Sequence, residues 1–216
     1  MLLVPNHQII VPNTIDISTS VEVINYNAND IIYIELYGDS IMCGLDPDLV
    51  DDDCGCTDRN IQARVPQPPA RLLEIFLPQH KLIITNRSSG LSASGDLLFG
   101  TDGVNLAWPD QQEANIVVIN HGINDARYDV PVQQYESNLR QLRDGLSSDK
   151  VMVWQTPTAT RNFDTSDYAE AMKRVASDYD DIVADAHAIT RWLGELPDGI
   201  HPRQLGYVEL VDLCLS

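Results

Sequence analysis

Short runs of β-branched and aromatic residues recur along this chain, and helical stripes separate them. Ile31-Ile32-Tyr33-Ile34-Glu35-Leu36-Tyr37 reads as a strand, as do Lys81-Leu82-Ile83-Ile84-Thr85, Asn115-Ile116-Val117-Val118-Ile119-Asn120, Val151-Met152-Val153-Trp154 and the shorter Asp181-Ile182-Val183-Ala184-Asp185. Between them the apolar spacing changes to three and four. Pro69 to Phe76 reads as a helix. Val132, Tyr135, Leu139, Leu142 and Leu146 form one amphipathic stripe, and Tyr168, Met172, Val175 and Tyr179 form another. Pro202, at a favoured helix-start position, opens a last helix through Val211. Strand–helix alternation of this kind predicts parallel βαβ units and an α/β fold.

Residues 1–28 stand apart. Ile9-Ile10-Val11, Ile15-Asp16-Ile17 and Val21-Glu22-Val23-Ile24 read as short strands broken by Pro5, Pro12, Asn6 and Asn13. This β-rich segment precedes the first strand of the alternating pattern. It either packs on the sheet edge or forms an arm that contacts a sister subunit or a larger assembly. Residues 29–216 form the main domain, and 216 residues are enough for one core without a staple.

The ends of three predicted strands carry chemistry. Gly38-Asp39-Ser40 breaks the first strand abruptly and presents a hydroxyl, which needs a base to become a nucleophile. As turn or cap residues, Asp39 and Ser40 are also ordinary. Gly90 lies after the second strand, where a glycine lets a backbone N–H approach a ligand. Asn124 lies after the third and offers a neutral side-chain donor. Of five histidines, only His201 has a carboxylate three residues earlier, Asp198, in a glycine-containing loop, and a proline after it. Asp198 orienting His201 and His201 deprotonating Ser40 is the logic of a catalytic triad. Gly90 and Asn124 supply what an oxyanion needs. In parallel sheets, ligands bind beyond the carboxyl ends of the strands, where Ser40, Gly90 and Asn124 fall.

The four blocks resemble those of the SGNH hydrolases, the GDSL lipase/esterase superfamily. Gly38-Asp39-Ser40 matches the first block. Asn86-Arg87 and Ser89-Gly90 match the second. Gly122-Ile123-Asn124-Asp125 matches the third. Asp198, His201, Pro202, Gly206 and Tyr207 match the last. The resemblance spans about residues 31 to 214. It implies a three-layer α/β/α sandwich with a central, mostly parallel, flavodoxin-like sheet. It also implies hydrolysis of esters or thioesters without metal or cofactor. Ser40, Asp198 and His201 would form the triad, and the backbone N–H of Ser40 and Gly90 with the Asn124 side chain would form the oxyanion hole. The expected substrate is a small-molecule or carbohydrate ester with a short acyl group such as acetyl. The alternatives are a thioesterase or lysophospholipase of the same family, or a non-catalytic component of a larger particle such as a phage tail. One departure is the stretch from Leu45 to Val65, which delays the helix that usually follows the first block.

The net charge of −18 argues against nucleic acid and anionic membranes as partners. No apolar run reaches the roughly 20 residues of a membrane span. The start of the chain does not read as a signal peptide, so the expected location is the cytoplasm or a larger assembly such as a virion. Leu45 to Val65 carries clustered aspartates, for which a solvated loop is favoured over a Ca²⁺ site because EF-hand spacing is missing. Cys43 with Cys54 or Cys56 could form a disulfide that closes this stretch, or the thiols stay reduced. Leu91 to Gln112, with Gly95, Phe99, Gly100, Gly103 and Trp108, reads as a loop that lines the substrate pocket. Its aromatic residues would either stack on sugar rings or anchor the packing.

Overall fold

A computed structural model describes residues 30–48, 64–78, 80–108, 113–189 and 196–215. The proposed strands of the N-terminal arm, and Cys54 and Cys56, lie outside the described residues. Five strands form one sheet: β1 (Ile31–Gly38), β2 (Lys81–Asn86), β3 (Ile116–Asn120), β4 (Val151–Gln155) and β5 (Ile182–Ala184). Their order is β2-β1-β3-β4-β5 and every pairing is parallel. Among the described residues seven α-helices flank them: α1 (Ser40–Cys43), α2 (Pro69–Phe76), α3 (Ser94–Phe99), α4 (Ile123–Arg127), α5 (Val132–Asp144), α6 (Ser166–Asp178) and α7 (Gln204–Cys214).

The strand order determines the layers. The chain steps from β1 to β2 in one direction, then crosses back to β3 and continues to β4 and β5. Because βαβ crossovers are right-handed, reversing direction moves the connecting helix to the other face. Accordingly α2 lies on one face, joined by α7, while α3, α5 and α6 lie on the other. The α/β/α sandwich is therefore the fold.

Period-two alternation in β1, β3 and β4 supplies both cores. Ile32, Ile34 and Leu36 of β1, Val118 of β3 and Val153 of β4 point to one face, against Ile41, Leu72, Tyr207 and Leu210. Tyr37, Val117, Ile119, Met152 and Trp154 point to the other, against Leu97, Tyr135, Leu139, Leu142, Met172 and Val175. Each such fully buried side chain is worth roughly 1.5–3 kcal/mol, so the two faces together hold the sheet between its helix layers.

Glu35 breaks the apolar rule inside β1, and its burial is compensated. Its carboxylate accepts from Tyr37 Oη (2.9 Å), Arg87 Nε (2.8 Å) and the backbone N–H of Glu113 (3.3 Å). A buried carboxylate needs such partners to be tolerated.

The segment read as a loop from 91 to 112 contains the short helix α3. Trp108 is a packing anchor: fully buried, it stands edge-on to Tyr37 at 5.1 Å and donates Nε1–H to Leu142 O at 2.6 Å. The helix after the first block is not wholly delayed either. The turn α1 starts at Ser40 itself and stops at Gly44, so only the longer α2 comes after the acidic insertion.

The base of that insertion is closed and clamped. Leu45 bridges Arg64, and Val65 N–H donates to Gly44 O at 2.9 Å. Tyr207 Oη donates to Leu45 O (2.8 Å), and Arg203 pairs with Asp48 (3.1 Å). Cys43, just before this base, is disulfide-bonded, while Cys214 is a free thiol. Among the described residues no cluster of three His, Cys, Asp or Glu side chains is arranged to hold a metal, and no helix is long and apolar enough to cross a membrane.

Candidate active site

The strand order reverses between β1 and β3, and parallel sheets bind ligands beyond the carboxyl ends of the strands at such a point. Gly38 of β1 and Asn120 of β3 face each other there. Ser40 follows Gly38 by two residues and occupies the first turn of α1. Asp39 caps that turn, its Oδ1 accepting from Ile41 N–H at 2.9 Å. The ordinary role of a cap and the presentation of Ser40 are thus the same structural fact.

His201 comes from the opposite end of the chain. Its Nε2 lies 2.7 Å from Ser40 Oγ, and its Nδ1 lies 2.5 Å from Asp198 Oδ2. Asp198 Oδ1 accepts the backbone N–H of Ile200 (2.9 Å) and of His201 (2.8 Å). Partial burial would raise the Asp198 pKa, but the ring of His201 and these two N–H groups outweigh it and hold the carboxyl at about 2. An ionised carboxylate only accepts, so the ring proton sits on Nδ1 and leaves Nε2 free to accept from Ser40.

The loop that carries this pair is itself fixed from outside. Gly199 has φ +85°, and a Cβ there would fall 2.3 Å from Asn162 Oδ1, so only glycine fits. Asn162 Nδ2 donates to Asp198 O (3.0 Å), and Arg161 N–H donates to Gly199 O (2.8 Å). The segment after β4 therefore sets the acid–base pair. Nothing in the local sequence signalled Asn162, because its partner lies 36 residues away.

The segment after β2 meets the same end of β1. Ser89 N–H donates to Gly38 O (2.9 Å), and Ser92 Oγ donates to Ser89 O (2.8 Å). Asn86 Nδ2 donates to Met42 O (3.0 Å) and Asn105 Nδ2 to Arg87 O (2.9 Å). Asn124, in α4, is buried and spends one Nδ2 hydrogen on Ser92 O at 3.0 Å, leaving the other. Among the described residues, neither the N–H of Gly90 nor that of Ser40 is spent on another backbone group. Of the five expected site residues, Ser40, His201 and Asp198 are joined side chain to side chain; Gly90 follows Ser89, whose N–H meets Gly38 O, and Asn124 meets Ser92 O.

Burial also shifts three groups outside the hydrogen-bonded chain. It pushes the Asp39 carboxyl up to about 7, and among the described residues its Oδ2 has no hydrogen-bond partner. It pushes Asp125 up to about 6, against the opposing bonds from Ser94. It pushes the His121 ring down to about 4.

Comparison with known proteins places this geometry. No curated protein matches the sequence. A lipase/acylhydrolase from Enterococcus faecalis superposes with a TM-score of 0.65 at 21% identity, over 84% of this chain and 92% of that one. An acetylxylan esterase from Geobacillus stearothermophilus, in a catalytic-mutant form, gives 0.62 at 17% identity, over 85% and 92%. The psychrotrophic esterase EstA from Pseudoalteromonas, inhibited by monoethylphosphonate, gives 0.60 at 17% identity, over 85% and 94%. At such identities the likeness establishes the shared fold. The sequence profile of the GDSL-like lipase/acylhydrolase family matches residues 36–208, from the strand that leads to Ser40 through the residues beyond His201. The chain belongs to that family and is a serine-dependent ester hydrolase.

Proposed function

We propose that this enzyme removes short acyl groups, acetyl foremost, from a carbohydrate ester through Ser40, His201 and Asp198. The observation that carries the mechanism is the unbroken line from Ser40 Oγ through the His201 ring to Asp198. Ser40 Oγ attacks the ester carbonyl while His201 Nε2 takes its proton. Asp198 stabilises the imidazolium that forms. The oxyanion is held by the Ser40 and Gly90 N–H groups and the second Nδ2 hydrogen of Asn124. His201 then returns the proton to the departing alcohol. Water, deprotonated by the same ring, clears the acyl-enzyme.

The acetyl preference draws support from the acetylxylan esterase among the structural neighbours. One observation favours the longer-chain thioesterase or lysophospholipase reading: Leu91, next to Gly90, is 48% exposed and offers apolar surface there. Initial rates on acetylated xylo-oligosaccharides and on p-nitrophenyl esters of two to twelve carbons (about that range) separate the two. A maximum at acetyl supports the first reading, and a rate that climbs with chain length overturns it.

Ser40→Ala tests the nucleophile. Turnover is expected to fall by roughly 10⁴- to 10⁶-fold, with covalent fluorophosphonate labelling lost and Tm retained. A clean preparation that keeps a tenth of the wild-type kcat removes Ser40 from the mechanism.

A further inference from the structure

Helix α4 sends two successive polar side chains into the interior. Asn124 turns toward the segment after β2 and meets Ser92 O. Asp125, with no exposed surface, turns toward the start of α3 and meets Ser94. Its carboxylate accepts the Ser94 N–H at 3.0 Å from Oδ2 and 3.2 Å from Oδ1, and the Ser94 Oγ–H at 2.6 Å. Ser94 Oγ accepts in turn from Asn138 Nδ2 (3.0 Å), whose Oδ1 accepts from Gln134 Nε2 (2.8 Å). One network, buried at Asp125, Ser94 and Asn138, thus joins α3, α4 and α5.

Burying a carboxylate is costly, and an apolar side chain of the same volume often serves stability as well or better. What the carboxylate adds is direction. Gly90 and Asn124 sit on different elements, so their separation is fixed only where those elements are tied. Only Leu91, Ser92 and Ala93 lie between Gly90 and Ser94, and Leu91 is exposed. Packing of small side chains leaves latitude that a three-bond clamp removes. The other tie, Asn124 to Ser92, draws on the amide needed for the oxyanion. The tie through Asp125 leaves that amide free.

We propose that Asp125 is a positioning residue: by clamping Ser94 to α4, it sets the separation of the Gly90 N–H and the Asn124 amide. The inference rests on reading those two groups as oxyanion donors.

The test is a double-mutant cycle on p-nitrophenyl acetate, with kcat, KM and Tm measured for each variant. Loss of a donor in Asn124→Ala should cost roughly 10²- to 10³-fold in kcat. Asp125→Ala should cost about 10- to 100-fold in kcat, with KM within about threefold, because the donors act chiefly in the transition state. Asp125→Asn keeps an oxygen for the Ser94 N–H and should restore kcat to within about fivefold of wild type. On the Asn124→Ala background, Asp125→Ala should cost less than about threefold more, since groups acting through one another are not additive. Should Asp125→Ala fail to fold, Ser94→Ala removes the 2.6 Å bond, together with the Asn138 contact to the same Oγ, and keeps the Ser94 N–H on the carboxylate. It should lower kcat several-fold in wild type and leave Asn124→Ala unchanged. Losses that multiply across the cycle overturn the clamp, as does an Asp125→Ala enzyme at wild-type kcat beside a slow Asn124→Ala. An Asn124→Ala enzyme at wild-type kcat overturns the donor assignment itself, and the clamp with it.

Discussion

Asp198 uses its two oxygens differently. Oδ1 binds the backbone of its own loop, and Oδ2 binds the His201 ring. This division makes Asp198→Asn a sharp probe. The amide oxygen would keep the two backbone N–H groups, which are fixed donors. Its Nδ2 would then face His201 Nδ1 and force the ring proton onto Nε2. A ring protonated there cannot accept from Ser40, so kcat should fall by roughly 10³- to 10⁴-fold with Tm near wild type, the scale seen when a triad tautomer is reversed. An Asp198→Asn enzyme within tenfold of wild type (about that margin) would mean that another group orients His201. The pieces of this chemistry were legible in the sequence because each sits in a short block with its own turn residues. The candidates Ser40, Gly90, Asn124, Asp198 and His201 were each read that way, and the structure joins Ser40, His201 and Asp198 by hydrogen bonds. The residues that hold them, Ser92, Ser94 and Asn162, were not legible. Their partners lie 31 to 36 residues away, and a local pattern carries no trace of such a bond.

Elements divide along the same line. The strands β1, β3 and β4 and the helices α2, α5, α6 and α7 were legible because each buries a stripe or run of apolar positions, and periodicity reports burial; β2 and β5 were legible from their β-branched composition. The helices α1, α3 and α4, of four to six residues, were not. They are too short to stand on intrinsic propensity, and α3 carries Gly95 in its interior. Capping and tertiary bonds hold it instead: Ala93 N–H donates to Asp96 Oδ2 at 2.9 Å, and Ser94 is clamped by Asp125. The contact between elements that matters most for the site is at Gly38, where β1 gives way to α1. A Cβ at Gly38 would lie 2.6 Å from Met42 Cβ in α1 and 2.8 Å from Asn120 O in β3. Both are below any real carbon contact, and the second is backbone that cannot swing aside. Gly38→Ala should therefore push α1 off β3. Overpacking of this kind costs about 1–3 kcal/mol, and at roughly 2–4 °C per kcal/mol for a chain of this length thermal unfolding would report it. Ser40 would shift with α1, so kcat should fall further than the Tm change alone explains. Wild-type Tm and kcat in Gly38→Ala would show that the junction yields without cost.

Over the whole molecule, a charge of −18 meets a set of buried titrating groups, and together they set how stability responds to pH. Each sign follows from which state holds the proton. Asp39 moves from 3.8 to about 7 on folding, and Asp125 from 3.8 to about 6, both through burial. Between those values the folded protein keeps protons that the unfolded chain has released, so raising pH favours unfolding. His121 moves from 6.5 to about 4, also through burial. Between those values the unfolded chain holds the proton, so raising pH favours folding. Asp198 adds stability that is complete above 3.8 and is lost as pH falls toward 2. Two carboxyls thus oppose one imidazole in mild acid, and close to pH 7 only Asp39 still acts. Self-repulsion among the excess carboxylates pushes the same way, because it grows as the surface ionises. Stability should accordingly be greater near about pH 5.5 than near about pH 8, the reverse of a protein governed by paired surface carboxylates. Salt separates the two causes. About 1 M NaCl shortens the screening length to roughly 3 Å, which suppresses surface repulsion and leaves the buried groups untouched. Asp39→Asn does the opposite: asparagine still caps α1 but does not titrate. The Tm difference between pH 5.5 and 8 should shrink in Asp39→Asn, and in high salt the wild type should still exceed the variant in that difference. A Tm that is flat or rises from pH 5.5 to 8, or a difference that Asp39→Asn leaves intact, would mean that the folded protein carries Asp39 as an ordinary ionised carboxylate beside Ser40.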